Sequence, residues 1–103
     1  MTKVTYDAEN YMMEIDGHAG AGEPGRDIVC AAETILMRAL VAAVMDERTK
    51  LRPAVRTRNG YARIQCAPTP RARATCRTMM RTVFMGYELL AQRYPEHVKV
   101  YTT

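Results

Sequence analysis

Two short stretches near the start of the chain alternate apolar and polar residues with period two. Val4 and Tyr6 alternate with Thr5 and Asp7, and Met13 and Ile15 alternate with Met12, Glu14 and Asp16, on either side of the turn-forming run Asp7-Ala8-Glu9-Asn10. This pattern predicts a β-hairpin with one apolar face. Further along, the period lengthens: Ile28, Ala32, Ile35, Leu36, Ala39, Leu40 and Ala43 recur at helical spacing as far as about Asp46, with Asp27 placed to cap the helix. Val29, Met37, Val41 and Met45 lie off that stripe, so the helix is expected to be deeply buried, with apolar surface to spare for a second subunit or a substrate.

Pro53 opens a second extended region. Asn59-Gly60, between Val55-Arg56-Thr57-Arg58 and Tyr61-Ala62-Arg63-Ile64-Gln65-Cys66, predicts a hairpin with a type I′ turn. Thr69 and Pro70 read as the N-cap and first residue of a long helix whose apolar stripe is Ala72, Cys76, Met79, Val83, Tyr87, Leu90 and Tyr94, ended by Pro95. His97 to Tyr101 alternate again and predict a last strand. The order is ββαββαβ. Its simplest packing is an α/β protein of the α+β two-layer kind, with one mixed, mostly antiparallel sheet and two long helices on one face.

With 103 residues, 48% of them hydrophobic and 25% charged, the chain is expected to form a single globular domain over residues 1–103. The longest uninterrupted apolar run, Ala39 to Met45, is far shorter than a bilayer span, and Met1-Thr2-Lys3-Val4-Thr5-Tyr6 lacks the apolar core of a signal peptide. The expected setting is therefore cytoplasmic, with no membrane. Three cysteines without paired spacing argue against a disulfide framework, and two histidines without a Cys-x-x-Cys argue against zinc. The net charge of +4 is concentrated in an arginine-rich second half. That excess suits an acidic or nucleic-acid partner, but a solvated face explains it at least as well.

The chemistry concentrates between the first hairpin and the first long helix. Gly17, Gly20, Gly22 and Gly25 place four of the six glycines between strand and helix, in and beside the segment that joins His18 to Cys30, and Asp27 as N-cap puts Cys30 at the third helical position. Unpaired amides and the helix dipole favour a thiolate there, whereas a free thiol is only about a few per cent ionised at neutral pH. His18 is the natural base. The Asp27 carboxylate opposes the anion, so its expected task is to hold the loop and helix start in place. Strand parity points His18 away from the helix, and Gly17 is where a strand end or bulge must turn it back. Cys66 and Cys76 are expected to be inert core thiols, and His97 a surface turn residue.

The run Gly17-His18-Ala19 … Gly25-Arg26-Asp27-Ile28-Val29-Cys30-Ala31-Ala32 resembles the ribosomal-processing cysteine proteases, the Prp family, in its Gly-His-Ala opening, its Gly-x-Asp-x-x-Cys-x-Ala continuation and its His-to-Cys spacing. The resemblance implies Cys30 as nucleophile and His18 as base, with Gly17, Gly25 and Asp27 supporting the loop and site. It implies a homodimeric cysteine endopeptidase without cofactor or metal, removing the N-terminal extension of a large-subunit ribosomal protein. The chain departs from the pattern at Thr34, where the family usually has Ser; the hydroxyl is kept on a stiffer side chain. Two alternatives stand beside this reading. One is a phage-type relative that trims a capsid or scaffold protein with the same dyad. The other is a small basic RNA-binding module, which the absence of a strand-borne aromatic motif disfavours.

Overall fold

The computed structural model describes residues 1–103 and sets out the elements in the expected order. β1 (Thr2–Asp7) and β2 (Met12–Gly17) form the first hairpin, followed by α1 (Ile28–Asp46) and the single turn α2 (Arg48–Leu51). β3 (Ala54–Arg58) and β4 (Tyr61–Gln65) form the second hairpin. A 3-10 turn over Pro70–Ala72 leads into α3 (Arg73–Arg93), and β5 (Val98–Thr102) closes the chain. The sheet runs β3-β4-β2-β1-β5, antiparallel except for the parallel β1–β5 pair, with α1 and α3 on one face. It is the α+β sandwich in the ββαββαβ order that the periodicity predicts.

Cross-strand register explains why that face is apolar. Val4 lies opposite Ile15 and Tyr6 opposite Met13, while Ile15 meets Ala62 and Met13 meets Ile64 across the next pair. All six are buried. Leu40 and Val44 of α1 and Cys76, Met80, Phe84 and Tyr87 of α3 cover them, with the Tyr6 and Phe84 rings 5.3 Å apart. Each large side chain removed from water in this way contributes roughly 1.5–3 kcal/mol before the cost of ordering the chain.

Three expectations are corrected. α1 is not deeply buried: its buried residues are Val29, Glu33, Leu40 and Val44, while Ile28 and Ile35 are 69% and 65% exposed. The helix is rotated from the expected stripe: the inward line runs through Val29, Glu33, Leu40 and Val44, with Glu33 held there by the Thr2 hydroxyl and its carbonyl by the Tyr87 hydroxyl, contacts between distant segments that helical periodicity does not encode. By length and composition α1 is also apolar enough to cross a membrane, although its uninterrupted apolar run is short; in this fold it lies along the sheet instead. At the β3–β4 turn only Gly60 has positive φ (+73°), so the turn is not type I′, which needs both central residues left-handed. At its tip Gly60 O accepts from Gly17 N–H at 2.8 Å, so the turn is tied to the end of β2 as well as to its own strands. Finally, Thr69 precedes the 3-10 turn in extended conformation but makes no side-chain capping bond.

Candidate active site

β2 ends at Gly17, whose φ of +107° is closed to side chains, and a Cβ there would collide with the carbonyl oxygen of Met1. Strand alternation therefore stops at this residue, and His18 leaves the sheet in a direction that parity does not dictate. Its backbone is held from two sides: the Met1 nitrogen donates to the His18 carbonyl at 2.6 Å, and Gly17 N–H donates to Gly60 O at 2.8 Å. The imidazole rests on the tip of the β3–β4 hairpin. A Cβ at Gly60 would stand only 2.6 Å from His18 Nε2, so glycine is the residue that lets the ring lie there.

Cys30 arrives from the other side. Asp27 is extended (φ −82°, ψ 99°) and caps α1, its Oδ1 accepting from Cys30 N–H at 2.9 Å and its Oδ2 from the loop amide of Ala21 at 3.0 Å. One carboxylate thus ties the helix start to the glycine loop. These amides, that of Cys30 first, hold its pKa below the ordinary value. The Cys30 amide is accordingly engaged and does not point free toward a reacting oxygen. Thr34 Oγ1 donates to the Cys30 carbonyl at 2.8 Å, the usual back-bonded position of a helical hydroxyl.

Together these elements bring His18 and Cys30 onto the walls of the same cavities. One, of about 820 Å³, opens under the loop beside Gly25, Asp27, Thr34 and Asn59; the other, of about 300 Å³, runs toward Glu33, Arg58 and Tyr61. Cys30 is half-buried and His18 exposed, so a thiol and an imidazole face a space large enough for a peptide segment. Gly25 has φ +83°, a left-handed backbone that glycine adopts without strain, with open space around it. Every site residue expected from sequence lies here: His18, Cys30, Gly25, Asp27 and Thr34 around the cavities, and Gly17 at the hinge.

The other thiols differ. Cys66 and Cys76 are buried and free, and a hydrogen bond between them, together with burial, pushes the Cys66 thiol up. No three His, Cys, Asp or Glu side chains converge as metal ligands. His97 is not a plain surface residue: its Nδ1 bonds the Ala19 carbonyl at 2.9 Å, and its own carbonyl accepts from Thr2 N–H. It pins the loop immediately after His18. Sequence reasoning also missed Gly60 and Glu33. The Asn59-Gly60 turn was visible but nothing showed what its tip would touch. Glu33 stands four residues after buried Val29, a spacing that could have flagged it as a buried carboxylate.

The family model described as cysteine protease Prp matches residues 1–99. No curated protein matches by sequence. Among solved structures, the ribosomal processing protease Prp from S. aureus with a covalently linked product peptide is similar at TM-score 0.86 and 23% identity, covering all of both chains. The same protease with a substrate peptide gives 0.78 and 21%, again over all of both chains. A protein from Streptococcus mutans gives 0.70 and 24%, over 99% of this chain and 91% of the other. At these identities the likeness is one of fold.

Proposed function

The chain belongs to the Prp family of cysteine proteases, and from that premise we propose that it is an endopeptidase using Cys30 and His18 to remove the N-terminal extension of a bacterial large-subunit ribosomal protein. The observation that carries this reading is the meeting of His18 and Cys30 on one cavity beneath the glycine loop. In this mechanism His18 takes the proton of the Cys30 thiol as Sγ attacks the scissile carbonyl. The tetrahedral intermediate collapses to a thioester, and His18 returns the proton to the departing amine. Water, deprotonated by the same imidazole, then hydrolyses the thioester and frees the thiol. Asp27 holds the helix start and loop, Gly17 sets the direction of His18, and Gly25 lets the loop open over a peptide.

A homodimer fits the apolar residues Ile28, Ile35 and Met45 exposed along α1, and a cytoplasmic setting fits three free thiols. The likeness to a protease solved with substrate and product peptides supports a peptide as the ligand. The ribosomal substrate is tested by incubating the protein with the precursor of that ribosomal protein from the same organism and mapping the new N-terminus by mass spectrometry. One cut that removes the extension supports the reading. An intact precursor, under conditions where other peptides are cut, overturns the substrate.

A further inference from the structure

Glu33 is the one buried carboxylate in the molecule, 6% exposed, and it occupies a position in the buried stripe of α1 alongside Val29, Leu40 and Val44. Its Oε2 accepts a hydrogen bond of 2.8 Å from the hydroxyl of Thr2, which is fully buried. Its Oε1 is buried without any partner. Such a group is expensive to keep, because a buried polar atom without a partner forfeits its hydration with nothing in return, more so when charged, and an apolar side chain in the stripe would avoid the cost. Residues held at a cost to stability tend to lie at functional sites.

The two ends of this hydrogen bond belong to the two halves of the dyad. Thr2 is the cross-strand partner of Gly17, the residue from which His18 departs, and its N–H donates to the carbonyl of His97, whose ring pins Ala19. Glu33 lies one turn after Cys30 on α1, and its backbone carbonyl accepts from the Tyr87 hydroxyl of α3 at 2.8 Å. Over the first half of α1 the only other buried residue is Val29. Glu33 and Val29 are thus the two buried side chains at the cysteine-bearing end of the helix, and the contact of Glu33 is directional where that of Val29 is not.

We infer that Glu33 is a positioning residue, and that the Thr2–Glu33 hydrogen bond sets the helix bearing Cys30 against the strand end bearing His18. The inference rests on the dyad reading above. A reaction between a thiol and a base tolerates little misplacement: an error of about 1 Å costs on the order of a hundredfold in rate. Although Glu33 borders the smaller cavity, its Oε2 is engaged by Thr2 and the carboxylate is 6% exposed, so the tether acts on the distance between the two groups and not as a surface that binds peptide. Its loss is therefore expected in kcat, with KM preserved.

The test compares Thr2→Val, Thr2→Ser, Glu33→Val, Glu33→Gln and the Thr2→Val/Glu33→Val pair, on a peptide that the wild-type protein cleaves, below the melting temperature of each variant. Thr2→Val and Glu33→Val are each expected to lower kcat about tenfold or more, with KM within about twofold. Thr2→Ser and Glu33→Gln keep a donor and an acceptor and are expected to stay within about threefold of wild type. The double variant should be no worse than the poorer single one, because the second substitution removes an interaction already lost. Wild-type kcat in Thr2→Val and Glu33→Val overturns the inference even if their melting temperatures move, since a merely structural role changes stability and leaves the folded enzyme's kcat alone. Glu33→Gln as damaging as Glu33→Val also overturns it. If Glu33→Val fails to fold, Thr2→Val and Thr2→Ser alone decide. Cleavage that survives Cys30→Ala overturns both this inference and the dyad beneath it; cleavage that needs Cys30 but ignores Thr2 overturns only the tether.

Discussion

The imidazole of His18 lies against Gly60 so closely that a single carbon added to that glycine would sit 2.6 Å from Nε2. A residue 42 positions away in sequence is thereby the floor of the candidate base. Gly60 also has φ +73°, so two penalties can be separated. Gly60→Ala is expected to destabilise by about 1–2 kcal/mol through backbone strain and to lower kcat by displacing the ring. Gly60→Asn relieves much of the strain, since Asn tolerates the left-handed region, but keeps the collision. Thermal melts and peptide kinetics on both variants check this: activity lost in both, with stability better preserved in Asn.

Asp27 caps α1 and holds the loop through separate oxygens. Asp27→Ala is expected to cost about 1 kcal/mol of stability, the usual price of a lost N-cap. Asn caps nearly as well but does not titrate. Because the Cys30 and Ala21 amides lower the Asp27 pKa in the folded protein, its contribution is present above the unfolded carboxylate range and is lost as pH falls through the lowered value. Denaturant melts at neutral and acidic pH should show wild type losing this increment on acidification, while Asp27→Asn does not.

Glu33 has the opposite sign. Burial raises its pKa, with Asp27 adding to the effect and the Thr2 hydroxyl and N-terminal amine opposing it. The Tyr87 hydroxyl, itself pushed up by burial, faces the Glu33 backbone carbonyl. A carboxyl raised on folding favours the folded state below its unfolded pKa, near 4.5, and that advantage is lost as pH rises through the folded value. Glu33→Gln is therefore expected to match or exceed wild-type stability at neutral pH, with the difference shrinking on acidification. A gap that widens at low pH contradicts this.

The three thiols separate by burial. Cys30 is half-exposed on the cavity wall, while Cys66 and Cys76 are 4% and 0% exposed. One equivalent of iodoacetamide is expected to modify Cys30 in the native protein, identified by peptide mass mapping, with Cys66 and Cys76 reacting only after unfolding. His18→Ala should slow that reaction. Equal labelling of all three thiols contradicts the packing.

The five strands and two long helices were legible from sequence because local periodicity carries them, with turn and cap residues marking the Asp27 cap and the strand end at Gly17; the single turn α2 was not. What escaped was set by contacts between distant segments. The rotation of α1 placed Glu33 inward, against the Thr2 hydroxyl, while leaving Ile28 and Ile35 outside. The Asn59-Gly60 turn has only Gly60 left-handed, and its tip bonds Gly17 and supports His18, contacts to a distant strand end that the local motif does not carry. His97 looked like a turn residue until the fold brought it to the carbonyl of Ala19, 78 residues away. The motif located the candidate chemistry, but not the residues that hold it still.

The central claim is that His18 and Cys30 act together on a peptide bond. Its most direct test is kcat/KM for cleavage of one peptide by wild type, Cys30→Ala and His18→Ala, with the folded state of each confirmed by its melting curve. The account predicts cleavage by wild type and a loss of at least about a thousandfold in either variant, as expected when a nucleophile or its base is removed. Cleavage by a folded Cys30→Ala or His18→Ala protein at the wild-type rate would contradict it.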